Sequence, residues 1–185
     1  MFIQSEATPN PSTLKFLPGQ TVLPGGALEM KDSESARRSP LASALFSISG
    51  VAGVFLGPDF ISVTKSGGEW QTLKPMVLGA ILEHYSSGAP ILIDSSVAVD
   101  ASSEFFDPRD AETVTTIKEL LENRVRPAVA GDGGDITFRG FRDGIVYLEM
   151  KGSCSGCPSS TATLKNGVQN LMRHYLPEVL AVEQI

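Results

Sequence analysis

The segment between Ser86 and Arg109 constrains the fold most, because it interrupts the apolar patterning found on either side of it. Its runs are rich in serine, glycine or proline around a short apolar stretch: Ser86-Ser-Gly-Ala-Pro90, Ile91-Leu-Ile93, Ser95-Ser96 and Asp100-Ala-Ser-Ser-Glu104. This composition is typical of a linker that holds at most one short strand. A chain of 185 residues can form one medium domain or two small ones. We therefore predict two domains, Met1–Ser87 and Pro108–Ile185, joined by a linker over residues 88–107.

The second domain carries two helix patterns separated by a hairpin pattern. The apolar residues of the first helix fall on one face: Val114, Ile117, Leu121 and Val125. Pro127 is expected to end this helix. The glycine-rich run Gly131–Asp135 then predicts a turn, and Arg142-Asp-Gly144 predicts the tight turn of a hairpin. The second helix has the apolar positions Leu164, Val168, Leu171, Met172 and Tyr175, and Val179–Ile185 could form a last strand.

The order helix, strand, strand, helix, strand predicts a small α+β domain, with the two cysteines at the start of its second helix. In the first domain, Pro40–Ser49 and Leu73–Tyr85 have helix patterns on either side of a hairpin pattern, Val51–Leu56 and Phe60–Lys65. The shared helix–hairpin–helix order would fit an old duplication, although so simple an order also arises by chance.

Composition narrows the classes of function. The chain is 42% apolar and 19% charged with a net charge of −6, which fits a globular protein. It has no basic stripe, so nucleic acid is not an expected partner. No run approaches the ~18 apolar residues of a membrane span. Because the first residues lack a signal or presequence pattern, we expect a cytoplasmic protein, with a mature chain in the mitochondrial matrix as the alternative.

Cys154 and Cys157 are the chain's only cysteines, and Pro158 follows them directly. Proline suits the first position of a helix, so Cys157 is the predicted N-cap residue. The backbone N–H groups of Ser159, Ser160 and Thr161 would then point toward the sulfurs. Together with the helix dipole, they would favour the thiolate that binds metal.

Two thiolates cannot complete a four-coordinate site, so the pattern leaves several functions open. A thioredoxin-type dithiol would follow a strand in a βαβ unit, whereas the sequence predicts a hairpin before the pair and no parallel crossover. Zinc needs two more ligands, but His84 lies in another segment and His174 lies some ~25 Å along the helix. Two copies of the chain would supply the four thiolates of an iron–sulfur cluster. The candidates are thus a cluster carrier, a thiol-disulfide oxidoreductase and a zinc-stapled adaptor.

The chain resembles the Nfu-type iron–sulfur scaffold family over nearly its whole length. In the second half the matching runs are Ile117-Lys-Glu-Leu-Leu121, Arg124-Val-Arg-Pro-Ala-Val129, Asp132-Gly-Gly-Asp-Ile136, Gly152-Ser-Cys-Ser-Gly-Cys-Pro-Ser-Ser160 and Thr163-Leu-Lys-Asn-Gly167, typical of NifU C-terminal domains. In the first half they are Thr8-Pro-Asn-Pro-Ser-Thr-Leu-Lys-Phe16, Ser39-Pro-Leu-Ala42, Gly53-Val-Phe-Leu-Gly57 and Leu73-Lys-Pro75, typical of Nfu N-terminal domains.

The resemblance implies a non-enzymatic carrier that binds a 4Fe–4S cluster at a homodimer interface and transfers it to apo-proteins. By position, Cys154 and Cys157 would be the cluster ligands. The chain lacks the cysteine-bearing N-terminal scaffold domain of full-length NifU, so upstream iron–sulfur assembly proteins are expected partners. The first domain has no recognisable catalytic motif, and we expect it to recognise partners.

Two further features have competing interpretations. The loop between Asp132 and Asp135 either shapes the cluster pocket or is only a tight turn between helix and hairpin, the simpler interpretation. Trp70 is either an exposed anchor for client proteins or a partly buried side chain.

Overall fold

The computed structural model describes residues 1–94, 104–155 and 157–185. The chain divides into two compact units, Met1–Val99 and Asp100–Ile185, and both combine helices with a β-sheet. This confirms the predicted α+β class and the presence of two domains. The predicted linker includes residues 95–103, which lie outside the described residues. No helix in the described part of the chain is long and apolar enough to cross a membrane.

The first unit is an antiparallel sheet with its helices packed against one face. Its elements are β1 (Gln4–Ala7), β2 (Thr13–Leu17), β3 (Leu28–Met30), α1 (Pro40–Phe46), β4 (Val51–Leu56), β5 (Ile61–Lys65) and α2 (Trp70–Ser87). The five strands lie in the order β1-β2-β5-β4-β3. Sheet residues such as Phe16 and Val63 share one core with Leu45 of α1 and Ile81 of α2.

The helices of the first unit match their predicted positions, with different ends. α1 begins at Pro40, where the Ser39 hydroxyl accepts a hydrogen bond from the Ala42 N–H at 3.2 Å, and α2 begins before the predicted Leu73. The apolar stretch Ile91–Ile93, where the linker could have held one short strand, forms none, and the Ile93 N–H donates to the Arg38 carbonyl at 2.9 Å.

The second unit contains a smaller sheet of mixed direction. Its elements are α3 (Ala111–Leu120), a π-helical turn (Leu121–Val125), α4 (Arg126–Gly131), β6 (Gly134–Arg142), β7 (Ile145–Gly152), α5 (Pro158–Tyr175) and β8 (Ala181–Gln184). The order is β6-β7-β8, in which β6 and β7 are antiparallel and β7 and β8 are parallel. The segment β7-α5-β8 is therefore a βαβ unit, so the expectation that no parallel crossover is present was wrong. The hairpin before the cysteines and the crossover after them share the strand β7.

Pro127 does not end the first helix, contrary to the prediction. The backbone continues through the π-helical turn into α4, with Pro127 in the first turn of α4. The turn also explains the four-residue spacing of the buried Ile117, Leu121, Val125 and Val129. Four-residue steps drift by about 40° on a regular α-helix, and the wider turn takes up this drift.

Candidate functional site

The two cysteines lie in the turn that joins β7 to α5. β7 ends at Gly152, α5 begins at Pro158, and Cys157 is the N-cap residue with extended backbone, φ −107° and ψ 107°. Proline in the first helical turn and a left-handed glycine at Gly152, φ 70°, turn the chain sharply between strand and helix.

The two thiols differ in their exposure to solvent. Cys154 is only 6% exposed and belongs to the hydrophobic core of the second unit. Cys157 is half-buried, and its Sγ lies 3.4 Å from the Ser159 hydroxyl. The pair therefore combines one thiol within reach of solvent with one that is packed inside the unit.

Burial raises the pKa of Cys154 to about 11, against a smaller lowering by the Ser153 hydroxyl, and the negative charges of Asp132 and Asp135 raise it further. Burial therefore opposes the thiolate at Cys154, where the helix N-terminus was expected to favour it. The N–H of Thr161 donates to the Cys157 carbonyl at 2.9 Å, within the helix, and not to a sulfur.

The turn Asp132–Gly134 forms the wall beside Cys154. The Ser153 hydroxyl donates to the Asp132 carbonyl, and the Ser153 N–H donates to the Gly133 carbonyl at 3.3 Å. A side chain at Gly134 would place its Cβ 2.7 Å from the Lys151 carbonyl oxygen and 2.8 Å from Cys154 Sγ, so only glycine fits. The observed turn is shorter than the predicted Gly131–Asp135, because Gly134 already begins β6. This turn both connects α4 to β6 and supports the cysteine turn.

An ion pair holds this wall to the preceding helix. Arg126 donates from Nε to Asp135 Oδ1 at 2.9 Å and from Nη2 to Asp135 Oδ2 at 3.1 Å, while its Nη1 donates to Glu122 at 2.6 Å. Asp135 is 8% exposed. Arg126 lies in one of the motif runs of the sequence, but no sequence pattern predicted its ion pair with Asp135 or the π-helical turn before it.

Hydroxyl groups fix the cysteine turn from the other side. Thr161 donates to the Cys154 carbonyl at 3.0 Å, and Ser155 donates to the Gly152 carbonyl at 2.9 Å. These bonds satisfy the backbone of the turn and hold Cys154 in its buried position. No sequence pattern predicted these bonds, apart from the presence of serine and threonine near a helix start.

The described residues hold no group of three or more His, Cys, Asp or Glu side chains that could bind a metal ion. Neither histidine joins the cysteines, because His84 is buried in the first unit and His174 stacks edge-on against Tyr175. Lys151 pairs with Glu149 at 3.7 Å and Lys165 pairs with Glu183 at 2.8 Å. The described residues thus supply two thiols and no further ligand.

Trp70 is half-buried, which supports the second of its two interpretations. Its indole N–H donates to the Pro11 carbonyl at 3.0 Å, and its ring packs against the core of the first unit. The side chain thus ties α2 to the chain before β2.

Comparison with known proteins gives consistent matches. A family profile described as "Scaffold protein Nfu/NifU N terminal" matches residues 3–88, and one described as "NifU-like domain" matches residues 117–183. The human protein "NFU1 iron-sulfur cluster scaffold homolog, mitochondrial" is 49% identical over the whole chain, which covers 72% of the human protein. "NifU-like protein 4, mitochondrial" of Arabidopsis thaliana is 51% identical over the whole chain, which covers 66% of that protein.

A solution NMR structure of a NifU-like protein from Saccharomyces cerevisiae aligns with 51% of this chain and 86% of its own, at 24% identity and a TM-score of 0.46. That structural likeness is too low to bear on the fold. The relationship of the chain to known proteins rests on its sequence identity to the human and Arabidopsis proteins.

Proposed function

We propose that this chain, which belongs to the Nfu/NifU family of iron–sulfur cluster scaffold proteins, binds a 4Fe–4S cluster through Cys154 and Cys157 and transfers it to apo-proteins. One observation carries the proposal: both cysteines lie in the turn between β7 and α5, and the described residues offer no group of ligands that could complete a metal site with them. Clusters of this type are held by four thiolates as a rule. A site with two is therefore half of a cluster site.

A second copy of the chain is the proposed source of the other two thiolates. A two-fold axis beside the cysteine turn would bring identical pairs together. The cluster would lie at the interface between the copies, where separation of the copies also releases it. This arrangement suits a cluster that is cargo and not a resident cofactor.

The burial of Cys154 implies an order for loading. Cys157 is within reach of solvent and would contact the incoming cluster first. Cys154 must leave its packed position and give its proton to solvent before its sulfur can bind iron. Each loading and release would then include a movement of the turn after Gly152, which keeps the bound state from being permanent.

The first domain, residues 1–87, is proposed to recognise partners, namely apo-proteins that receive the cluster and assembly proteins that supply it. Support comes from the location of both cysteines in the second unit. A chain that lacks Met1–Ser87 should load the cluster normally and transfer it more slowly to particular clients. Equal transfer rates to every client would contradict this role.

The names of the two relatives include "mitochondrial". We therefore favour the mitochondrial matrix over the cytoplasm as the place where this chain acts. Fractionation of cells that produce the full-length protein would test this choice.

A thiol-disulfide oxidoreductase is the second candidate, because β7-α5-β8 has the βαβ arrangement that such enzymes place around their cysteines. The exposure of the thiols argues against it. The attacking cysteine of a CxxC enzyme is an accessible thiolate of low pKa, whereas Cys154 is buried and burial raises its pKa to about 11. A zinc-stapled adaptor shares the shortage of ligands, and metal analysis separates it from the carrier.

Anaerobic reconstitution of the full chain tests the proposal. We expect about four irons and four sulfides per dimer, with a mass in solution that doubles on loading. Cys154→Ser and Cys157→Ser should each abolish iron retention, while Thr163→Ala, on the exposed face of α5, should not. A monomer that holds no iron and cycles between dithiol and disulfide would overturn the carrier. Zinc that survives chelation of iron would favour the adaptor.

A further inference from the structure

The segment that leads into the second unit lies against the outer edge of β6. This segment, Glu104–Asp107, is here called the strap. β6 is an edge strand of its sheet, so one side of its backbone has no partner strand within the three-stranded sheet. The strap ends where the Asp107 side chain accepts a hydrogen bond from the Arg109 N–H at 2.9 Å and starts a short 3₁₀ helix.

Phe105 forms an isolated β-bridge with the edge of β6. Its N–H donates to the Arg139 carbonyl at 3.1 Å, and its carbonyl accepts from the Phe141 N–H at 2.9 Å. These two bonds make a parallel bridge to Gly140, beside the bulge that follows Phe138. An extended peptide that joins the edge of a sheet uses the same donors and acceptors.

The ring of Phe105 fills a slot formed by β6 and β7. It lies over Gly140, where an added Cβ would come within 2.4 Å of two ring carbons. Gly140 is not among the glycines with positive φ, so its backbone does not require glycine, but the ring does. The ring of Tyr147 is 5.2 Å away, and the Arg142 guanidinium is 5.3 Å from the ring centre.

Charge defines the rest of the slot. Glu104 pairs with Lys118 of α3, which places a cation beside the residue before the aromatic ring. An open cavity of about 430 Å³ beside the strap is lined by charges of both signs, Arg109 and Arg142 together with Glu104, Asp107, Asp110 and Asp143. Phe106 itself is 38% exposed. The strap is therefore held by one bridge, one ring and one solvent-exposed ion pair, which is a small contact to displace.

We propose that this edge of β6 is a docking slot for an extended segment of a partner protein, one that presents an acidic residue followed by an aromatic residue. Glu104-Phe105 is the chain's own occupant of that slot. The resident pair shows what the slot accepts: backbone pairing at Gly140, a ring over the glycine, and a carboxylate at Lys118. A partner segment of the same chemistry competes with the strap, and the strap shields the strand edge when no partner is bound.

The test uses the full chain and a labelled peptide with the sequence of residues 101–110, followed by fluorescence anisotropy. Phe105→Ala should bind the peptide at least tenfold more tightly than the unaltered chain, because the tethered competitor is gone. Phe106→Ala is the matched control and should behave like the unaltered chain. A peptide with alanine at the position of Phe105 should lose at least tenfold in affinity.

A second part of the experiment blocks the slot. Gly140→Ala in the Phe105→Ala chain places a Cβ where the ring of the peptide would lie and should abolish binding. Binding that survives this change, or that is equal for Phe105→Ala and the unaltered chain, overturns the proposal. A concentration-dependent dimer that Phe105→Ala abolishes would also overturn it, because the occupant would then be the strap of a second copy.

Hydrogen exchange keeps the proposal testable if Phe105→Ala does not fold. In a Glu104→Ala chain the ring is retained and only the ion pair is lost, so the Phe141 amide should exchange faster than in the unaltered chain. Adding the peptide should slow that exchange again. Exchange at Phe141 that responds neither to Glu104→Ala nor to the peptide contradicts the displaceable strap.

Discussion

Both units contain helix, hairpin and helix in the same order, yet the junctions between the hairpin and the second helix differ in their exposure to solvent. In the first unit, Ser66–Glu69 is exposed at every residue. In the second unit, Ser153 and Cys154 at the equivalent junction are 1% and 6% exposed, packed on the turn Asp132–Gly134. Shared element order therefore says little about function. The junction of the second unit is a candidate site because other residues of the unit pack against it and hold it in place.

Three kinds of contact provide this support in the second unit. A glycine allows close approach to Cys154, a buried carboxylate ties the turn to α4, and hydroxyl groups bond to the backbone of the junction. At the first junction, the Lys65 ammonium donates to the Gly68 carbonyl at 2.6 Å on the surface. Each difference can be tested by a pair of variants, one in each unit.

The largest effect is expected from filling the space beside Cys154. Gly134→Ala should lower the free energy of unfolding of the second unit by about 3 kcal/mol, because its Cβ would overlap a backbone oxygen and a sulfur. Gly67→Ala in the first junction, where an added Cβ meets nothing within 4 Å, should change it by less than about 0.5 kcal/mol. Urea unfolding followed by circular dichroism measures both, and fluorescence of Trp70, the single tryptophan, reports the first unit. Similar losses for the two variants would contradict the comparison.

The next effect is expected from the buried ion pair. Arg126→Ala leaves the Asp135 carboxylate buried and unpaired, which should cost about 2 kcal/mol in the second unit. This is less than for a fully buried pair, because the Arg126 side chain is 39% exposed. Lys31→Ala removes a cation that is 73% exposed in the first unit and should cost less than about 0.5 kcal/mol. The same urea titrations measure both losses in free energy of unfolding. A loss for Arg126→Ala below that for Lys31→Ala would show that the Arg126–Asp135 pair does not stabilise the second unit.

A smaller effect concerns the chemistry of the two thiols. At pH 8, iodoacetamide should modify Cys157 faster than Cys154 by roughly tenfold or more, because burial disfavours the Cys154 thiolate. Asp132→Asn should speed modification of Cys154 by removing a charge that raises its pKa. A cysteine placed in the exposed first junction, Ser66→Cys, should react as readily as Cys157. Mass spectrometry of digests at timed intervals gives the rates, and equal rates for Cys154 and Cys157 would show that the burial is not maintained.

The Cys154 thiol should also make the second unit less stable at alkaline pH. Since burial raises the pKa of Cys154 from its ordinary 9.0 to about 11, the native chain binds more protons than the unfolded chain across this interval. The stabilisation is complete below about pH 9 and should be lost as the pH rises toward 11. Cys154→Ser should remove this part of the pH dependence in thermal melts followed by circular dichroism. An unchanged profile would assign the loss to other groups.

The smallest effect is expected from His84, whose pKa is lowered by burial. The folded first unit binds fewer protons than the unfolded chain, so it should lose stability as the pH falls below the ordinary value of 6.5. His84→Leu should flatten this dependence in Trp70 fluorescence melts between pH 5 and 7, while His174→Gln in the second unit should not. A dependence that is the same in both variants would exclude His84 as its source.

Much of the fold follows from local sequence signals. Apolar spacing predicted the four longer helical regions, and Asp143 and Gly144 form the expected hairpin turn with φ values of 53° and 78°. The motif runs predicted the family, which the relatives confirm. Assignment of Cys154 and Cys157 as cluster ligands stays a prediction.

The features that sequence reasoning missed depend on distant contacts. The parallel pairing of β7 with β8 is fixed only when α5 carries the chain back across the sheet. The burial of Cys154 depends on Gly134, twenty positions away, whose role in a motif run does not reveal what it touches. Propensity and periodicity describe neighbours along the chain, so they predict elements better than they predict the environment of one thiol.

The π-helical turn Leu121–Val125 fixes how many residues the chain can place between α3 and α4. Loss of one residue here, such as the exposed Asn123, would let the backbone return to a regular α-helix. Eleven residues at about 100° each would then lead from Ile117 to Val129, only about 20° from three full turns, so Val129 would stay on the buried face. The segment should therefore tolerate substitutions on its outer face and the loss of one residue, whereas the loss of two residues would turn Val129 about 80° away from the buried face.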